Sequence, residues 1–293
     1  MPEQPRIAIL GANGQVGFEL CRTLSVLGDV LPVTRDGELS LDLSDPEGVK
    51  PFLDQHRPDV IVNAAAYTAV DKAESEPDLA FAINAEVPKQ IGEWAAQHAA
   101  QVVHYSTDYV FDGSKDGAYS EDDEPNPCNV YGQSKLAGDS ALLSSGADAW
   151  ILRVSWVYGL RGKNFLRTMQ QLMAERDSLS IVADQVGSPS WSRAIAEATL
   201  GLLSQLMSRP DDLRHTKGVY HLSGQSSTSW HGFAEMIATL SELDCALQAI
   251  STSEYPTPAR RPMNSRMSGE KFRRQFGLSL PDWQLALKAC LSD

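Results

Sequence analysis

Apolar and polar positions follow two periods along this chain, and through the first half the two take turns. Residues 6–10 (RIAIL) form a short apolar run that predicts a strand leading into a glycine turn. Over 14–27 the apolar positions Val16, Leu20, Leu24 and Leu27 recur at helical spacing. The same pattern predicts strands at 30–33, 59–63 (DVIVN), 101–105 (QVVHY) and 150–156 (WILRVSW). It predicts helices at 46–56, at 78–98 and from Tyr131 to about Leu143. A segment rich in Asp, Glu, Pro and Gly, 112–129, predicts a loop. Continuous apolar strands separated by helices imply a parallel sheet covered on both faces.

After Gly159 the rhythm breaks. Helices are predicted at 165–175, 193–207 and 230–240, strands at 179–182 and 218–222, and two short helices at 268–276 and 281–291. Residues 255–266, rich in Pro and Arg, read as extended. There is no internal repeat and no low-complexity tract. The expected fold class is α/β, a Rossmann-like doubly wound parallel sheet with a smaller C-terminal substrate-binding α/β domain. The expected division is a dinucleotide-binding domain over 1–158, to which roughly 185–225 returns, and an interleaved sugar-nucleotide-binding domain over 159–293.

Composition limits the partners. The 293 residues suffice for about two domains, and 42% hydrophobic with 22% charged residues fits a globular protein. No apolar run approaches the roughly 20 residues of a membrane span. The start, Met1-Pro2-Glu3-Gln4-Pro5-Arg6, lacks the basic and apolar stretches of a signal peptide. A net charge of −13 without a basic block argues against nucleic acid, so neither membrane nor nucleic acid is an expected partner. Cys21, Cys128, Cys245 and Cys290 form no pair at metal or redox spacing. Scattered thiols fit a reducing cytoplasm, the expected location. An anionic ligand would have to be held by helix N-termini and a few arginines against the overall field.

Candidate chemistry falls on the first-half elements. Gly11-Ala12-Asn13-Gly14-Gln15-Val16-Gly17 follows a strand and opens a helix, the context in which a glycine turn binds a dinucleotide. Gly11 would allow the turn, Gly14 the approach of a pyrophosphate and Gly17 the packing of helix on strand. A bare glycine turn is common and is weak evidence alone. After the second strand, an acid such as Asp36 would favour a free ribose hydroxyl and Arg35 would hold a 2′-phosphate. NADH and NADPH therefore stay open, and Arg35 as a solvated loop charge weighs equally. Asp42 and Leu43 are in reach of an adenine. Ala64 and Ala66 let a ligand approach the end of strand 59–63, or let a helix pack closely there.

Tyr131 and Lys135 form the sharpest pair, four residues apart on one helix face. An ammonium about 4 Å from the phenol is worth about 4 kcal/mol at an effective dielectric of 20. That would lower the phenol by roughly three pKa units before desolvation takes part back, leaving an acid usable at working pH. Such a pair is common by chance on an exposed helix, and its place after a nucleotide-binding half favours catalysis. Thr107 is placed to bond a substrate carbonyl oxygen, and Asp108 to bond substrate or tune charge. Trp156 either walls or stacks on the substrate or fills core. His104 reads as a packed core histidine and Cys128 as a small spacer. Arg260, Arg261 and Arg266 read as diphosphate ligands or as surface charges. Together these residues point to transfer of a hydride and a proton.

Longer stretches are more specific: GANGQVG (11–17), RPDVIVNAAAYTAVDKAESEP (57–77), VVHYSTDYVFDG (102–113), NVYGQSKLAG (129–138), RVSWVYG (153–159) and YPTPARRPMNSRM (255–267). Through nearly its whole length the chain resembles the extended short-chain dehydrogenase/reductases, and within them the dTDP-4-dehydrorhamnose reductase family. The resemblance implies that NADH or NADPH reduces the C4 ketone of dTDP-4-dehydro-β-L-rhamnose, the last step of making dTDP-rhamnose. It implies Tyr131 as proton donor, Lys135 on the nicotinamide ribose, and Thr107 at the C4 oxygen with Asp108 nearby. It places Gly14, Gln15 and Val16 at the pyrophosphate and Asp42 and Leu43 near the adenine. Ala66, Tyr67 and Thr68 would lie on the nicotinamide side, and Trp156 at the nucleotide sugar. Some members are dimers bridged by magnesium between acidic residues. Glu19 matches one such position, but Arg193 stands where another carboxylate is expected and the chain ends at Asp293. A homodimer stays open, and no metal is expected.

Two alternatives remain. A related nucleotide-sugar dehydratase or epimerase would typically carry Thr-Asp-Glu where this chain has Thr107-Asp108-Tyr109. A non-catalytic regulatory subunit of methionine adenosyltransferase shares much of the pattern, and a binding relative can retain Thr107, Tyr131 and Lys135.

Overall fold

Seven parallel strands form the central sheet of the computed structural model, which describes residues 4–292. Met1–Glu3 and Asp293 lie outside the described residues, and with them part of the reading of both chain ends. From one edge the order is Gly218–His221, Asp148–Val154, Gln101–Thr107, Val60–Asn63, Arg6–Leu10, Asp29–Thr34 and Leu39–Ser40. The order reverses between Arg6–Leu10 and Val60–Asn63, the point at which open α/β sheets leave a ligand crevice. Ile7, Ile9, Val60, Val62 and Val103 pack on one face with helices Gln15–Leu24 and Ser192–Ser208. Ala8, Leu10, Ile61, Val102 and Ile151 pack on the other with helices Val49–His56, Val87–His98 and Val130–Ser144. Burial on both faces is why these strands read as unbroken apolar runs.

A separate apolar core lies in the second half. Tyr158, Leu166, Phe233, Ile237, Trp283 and Leu287 meet there, from the short strand Val157–Tyr158 and helices Phe165–Glu175, Trp230–Leu240 and Trp283–Ser292. A parallel pair, Ser178–Val182 with Ala246–Ile250, closes one side. The chain crosses between the two cores. Helix Ser192–Ser208 and strand Gly218–His221 return to the sheet, as do Phe272, Phe276 and Leu280.

Several elements differ from the sequence expectation. The helix expected over 78–98 is interrupted by a π turn, Ala82–Glu86, between Pro77–Phe81 and Val87–His98. Pro88 has no N–H to give the carbonyl of Asn84, so the regular ladder fails at that point. Strand 101–105 continues to Thr107. Strand 150–156 instead spans Asp148–Val154, and Trp156 lies beyond it with φ +46°. Strand Ala246–Ile250 was not expected; it is half exposed and has little apolar pattern to show.

Candidate active site

A cavity of about 810 Å³ opens over the C-terminal ends of the sheet strands. Its floor begins at the glycine turn. Gly11 has φ +77°, and a Cβ there would stand 2.8 Å from the backbone of Ala65. Gly17 lies behind the wall, where a Cβ would meet the Gly11 carbonyl oxygen at 2.1 Å. Helix Gln15–Leu24 starts from an extended Gly14, with no side-chain cap and no acid in its first turn. Its N–H groups and positive dipole end therefore face the cavity unspent, an arrangement that fits a diphosphate. Gln15 also accepts from Asn164 Nδ2 at 2.9 Å, and Gly162 and Lys163 of that loop join the wall.

At the outer end Thr34, Arg35, Asp36, Leu41 and Leu43 line the cavity. Asp42 does not. Its carboxylate accepts from Ser44 N at 3.0 Å and Ser44 Oγ at 2.7 Å, and faces Arg35 Nε at 3.6 Å. The Ser44 hydrogen bonds hold it below the usual carboxylate range. Ala64, Ala66 and Thr68 lie on the wall, whereas Tyr67 does not. The Tyr67 backbone is pinned by Asn84, whose Oδ1 accepts from Tyr67 N at 2.9 Å. Its hydroxyl donates to Glu76, a contact that pushes the phenol up to about 12. Of the cofactor residues expected from sequence, Gly17, Asp42 and Tyr67 are thus off the wall.

The inner end holds the reactive side chains. Asn129 caps helix Val130–Ser144, accepting from Gly132 N at 2.8 Å, and donates to the Arg260 carbonyl at 2.8 Å. This fixes the helix so that Tyr131 and Lys135, one turn apart, both face the cavity. Thr107 ends its strand beside them, its hydroxyl donating to Asp108 Oδ1 at 3.1 Å and facing the Tyr131 phenol. The expected lowering of the phenol does not occur. Burial pushes Tyr131 up to about 12; the Thr107 hydroxyl relieves part of this, and Asp108 and Asp139 add to it. The Lys135 amine is directed elsewhere, donating to the Tyr105 carbonyl at 2.6 Å and lying 3.3 Å from His104 Nε2. Burial lowers Lys135 to about 8, with Asp139 opposing. Burial likewise raises the Asp108 carboxyl to about 6, against hydrogen bonds from Ser265 and Thr107.

The far wall comes from the second half. Trp156 stacks on Trp230 with centroids 3.5 Å apart and planes 5° apart. A Cβ on Gly187 would lie 2.4 Å from Trp156 Cε2. Trp156 lines the cavity with one ring face covered by Trp230 and 9% of its surface exposed. Tyr109, Lys163 and Trp230 also line the cavity, and sequence reasoning did not choose them as site residues. Lys163, a loop cation in an acidic chain, carried the only usable signal.

The arginines of 255–266 do not reach this cavity. Arg261 makes a bidentate pair with Asp71 at 2.8 and 3.0 Å, and Arg266 Nε donates to Asn264 Oδ1 at 2.8 Å. Cys128 lies off the wall, its Sγ 3.8 Å from the Arg260 carbonyl oxygen. Glu19 pairs with Arg22 at 3.6 Å and Arg193 with Glu197 at 3.2 Å. Among the described residues, no group of three or more His, Cys, Asp or Glu is arranged to hold a metal, and no helix is long and apolar enough to cross a membrane.

A family model described as "RmlD substrate binding domain" matches residues 5–293. The dTDP-4-dehydrorhamnose reductase of Burkholderia thailandensis is 45% identical over 296 residues, covering 98% of each chain. That of Escherichia coli strain K12 is 43% identical over 294 residues, covering 98% of this chain and 97% of the other. The crystal structure of dTDP-4-dehydrorhamnose reductase from Bacillus anthracis in complex with NADP matches with a TM-score of 0.90 at 34% identity, over 99% of both chains. A family model and relatives that each span almost the full chain lead to one assignment: the chain belongs to the dTDP-4-dehydrorhamnose reductase family.

Proposed function

We propose that this protein is a cytoplasmic, NADPH- or NADH-dependent oxidoreductase. It reduces the C4 ketone of dTDP-4-dehydro-β-L-rhamnose to the alcohol of dTDP-β-L-rhamnose, the last step of dTDP-rhamnose synthesis. The observation that carries this reading is the continuity of one cavity, with an uncapped helix N-terminus at one end and Thr107, Tyr131 and Lys135 at the other. Gly11, Gly14, Gln15 and Val16 would hold the diphosphate of the cofactor, and Arg35 and Leu43 its adenosine end. When bound, the reduced nicotinamide supplies the hydride that C4 receives.

The chain's own residues supply the rest. The raised pKa leaves Tyr131 protonated at neutral pH, the state a ketone reduction requires of its acid. As charge develops on the C4 oxygen, the Thr107 hydroxyl turns its one proton from Asp108 to that oxygen and the Tyr131 phenol delivers the proton. The Lys135 ammonium then offsets the phenolate that remains. Asp108, buried on the wall, would bond a sugar hydroxyl, and Trp156 would bound the sugar. Tyr109 meets Tyr131 edge-on at 5.6 Å, where a dehydratase would need a carboxylate. In this reading the sheet half, 1–158 with roughly 185–225, handles the cofactor and the remainder of 159–293 the nucleotide sugar.

Absorbance of the reduced cofactor gives the test. NADPH or NADH is consumed stoichiometrically, and only when dTDP-4-dehydrorhamnose is supplied. Retention of the cofactor as tightly held NAD with no net consumption would indicate a dehydratase or epimerase. Stable association with a methionine adenosyltransferase, without turnover of the sugar, would overturn the enzymatic reading.

A further inference from the structure

From behind the cavity wall to the wall itself, three buried side chains form a chain of contacts: Asn63, His104 and Lys135. Asn63 Oδ1 accepts from Ala65 N at 3.2 Å. A backbone N–H can only donate, so this contact fixes which end of the amide faces which way. The Asn63 Nδ2 group then lies 3.1 Å from His104 Nδ1. An amide nitrogen can only donate, so Nδ1 must accept. His104 is neutral, held well below its ordinary pKa by burial and by the Lys135 charge. Its one ring proton is therefore on Nε2.

That proton faces Lys135 Nζ at 3.3 Å. A neutral amine has a lone pair to accept it while donating to the Tyr105 carbonyl at 2.6 Å. An ammonium has only donors, and would set N–H against N–H. The other charged or titratable groups around this pair act differently. Asp139 lies on the same helix as Lys135 and 4.0 Å from His104 Nε2, beyond hydrogen-bond reach, and it favours the ammonium. It is itself bonded to Ser106 at 2.9 Å and paired with Arg153 at 3.3 Å. Tyr131, with Thr107 and Asp108 beside it, bounds the cavity side.

We infer that His104, locked in one tautomer by Asn63, is a positioning residue that weakens the hold of Lys135 on its proton and so sets the upper pH limit of reduction. The first half stands on the hydrogen-bond geometry and the burial of His104; the second rests on the proposed reductase activity. The sign follows from the role of the ammonium. Reduction leaves a phenolate on Tyr131, which the ammonium stabilises and the neutral amine does not. The rate therefore falls as pH rises through the Lys135 titration.

The test reads Lys135 directly, by NMR titration of ¹³Cε-labelled lysine in the whole protein without cofactor, with Lys135→Met to assign the signal. Two variants probe the relay. His104→Asn keeps an acceptor for Asn63 but removes the Nε2–H. Asn63→Ala keeps the imidazole but frees its tautomer, so that Nε2 can accept from the ammonium. Wild-type Lys135 is expected to titrate near 8, and each variant to move it up by about one unit. The alkaline fall in kcat/KM should move with it. An unchanged Lys135 titration in either folded variant overturns the inference, and if one variant fails to fold, the other decides. If Lys135 shifts but the wild-type protein never consumes reduced cofactor with the nucleotide sugar, the reductase reading falls while the His104 tautomer effect stands.

Discussion

The two walls of the cavity are built in different ways. On the sheet side, each reactive group sits at the end of a regular element: Thr107 ends a strand and Tyr131 opens a capped helix. On the opposite side the wall depends on exceptions. Trp156 adopts a left-handed backbone, Gly187 leaves room for its indole, and Trp230 arrives from the distant helix Trp230–Leu240 to cover it. A regular element specifies its end from local sequence. An irregular wall is specified only when distant segments meet, so it can change while the reactive side remains intact.

Substitutions should separate the two walls, beginning with the largest effect. Tyr131→Phe removes the proton donor and should cut kcat by about a hundredfold or more, with cofactor affinity unchanged in a binding titration. Near-normal turnover would remove the acid from the sheet side. Gly187→Ala inserts a methyl where Trp156 already stands, an overpacking that costs about 1–3 kcal/mol. The Michaelis constant for the nucleotide sugar should rise about tenfold, while cofactor binding stays as in wild type. A change in cofactor binding instead would mean that the walls are not separable.

Smaller effects test the edges of the comparison. Arg35→Ala should weaken NADPH by up to about tenfold, as loss of a charge-assisted contact does, and leave NADH nearly unaffected. Equal loss for both would return Arg35 to the solvated-charge reading. Asn129→Ala removes the cap that sets the Tyr131 helix and should lower unfolding stability by about 1 kcal/mol in urea. Arg261→Ala breaks the part-exposed pair with Asp71 that ties the 255–266 segment to the short helix Val70–Ala73 beside the cavity. It should cost less than about 1 kcal/mol, with the larger readout in substrate affinity.

The same contrast explains what could be read in advance. The sheet strands and their helices announced themselves because burial on both faces demands apolar runs. The glycine turn did so because only glycine tolerates the backbone approach at Gly11. Tyr131 and Lys135 were legible as a spacing, but their electrostatics were not. Spacing placed an ammonium beside a phenol; packing gave Lys135 to the Tyr105 carbonyl and His104, and burial raised Tyr131. Asp42 and Tyr67 stand off the cavity wall for a related reason. Local partners, Ser44 and Glu76, took up the side chains that sequence had assigned to the cofactor.

Local sequence determined the strand–helix alternation, the glycine turn and the Tyr131–Lys135 pair. Each depends on periodicity or backbone freedom within a few residues. Only the tertiary structure decided that His104 faces the catalytic lysine and that Trp230 covers Trp156. Those outcomes depend on which segments far apart in the chain are buried together, and burial sets both the proton affinities and the shape of the cavity.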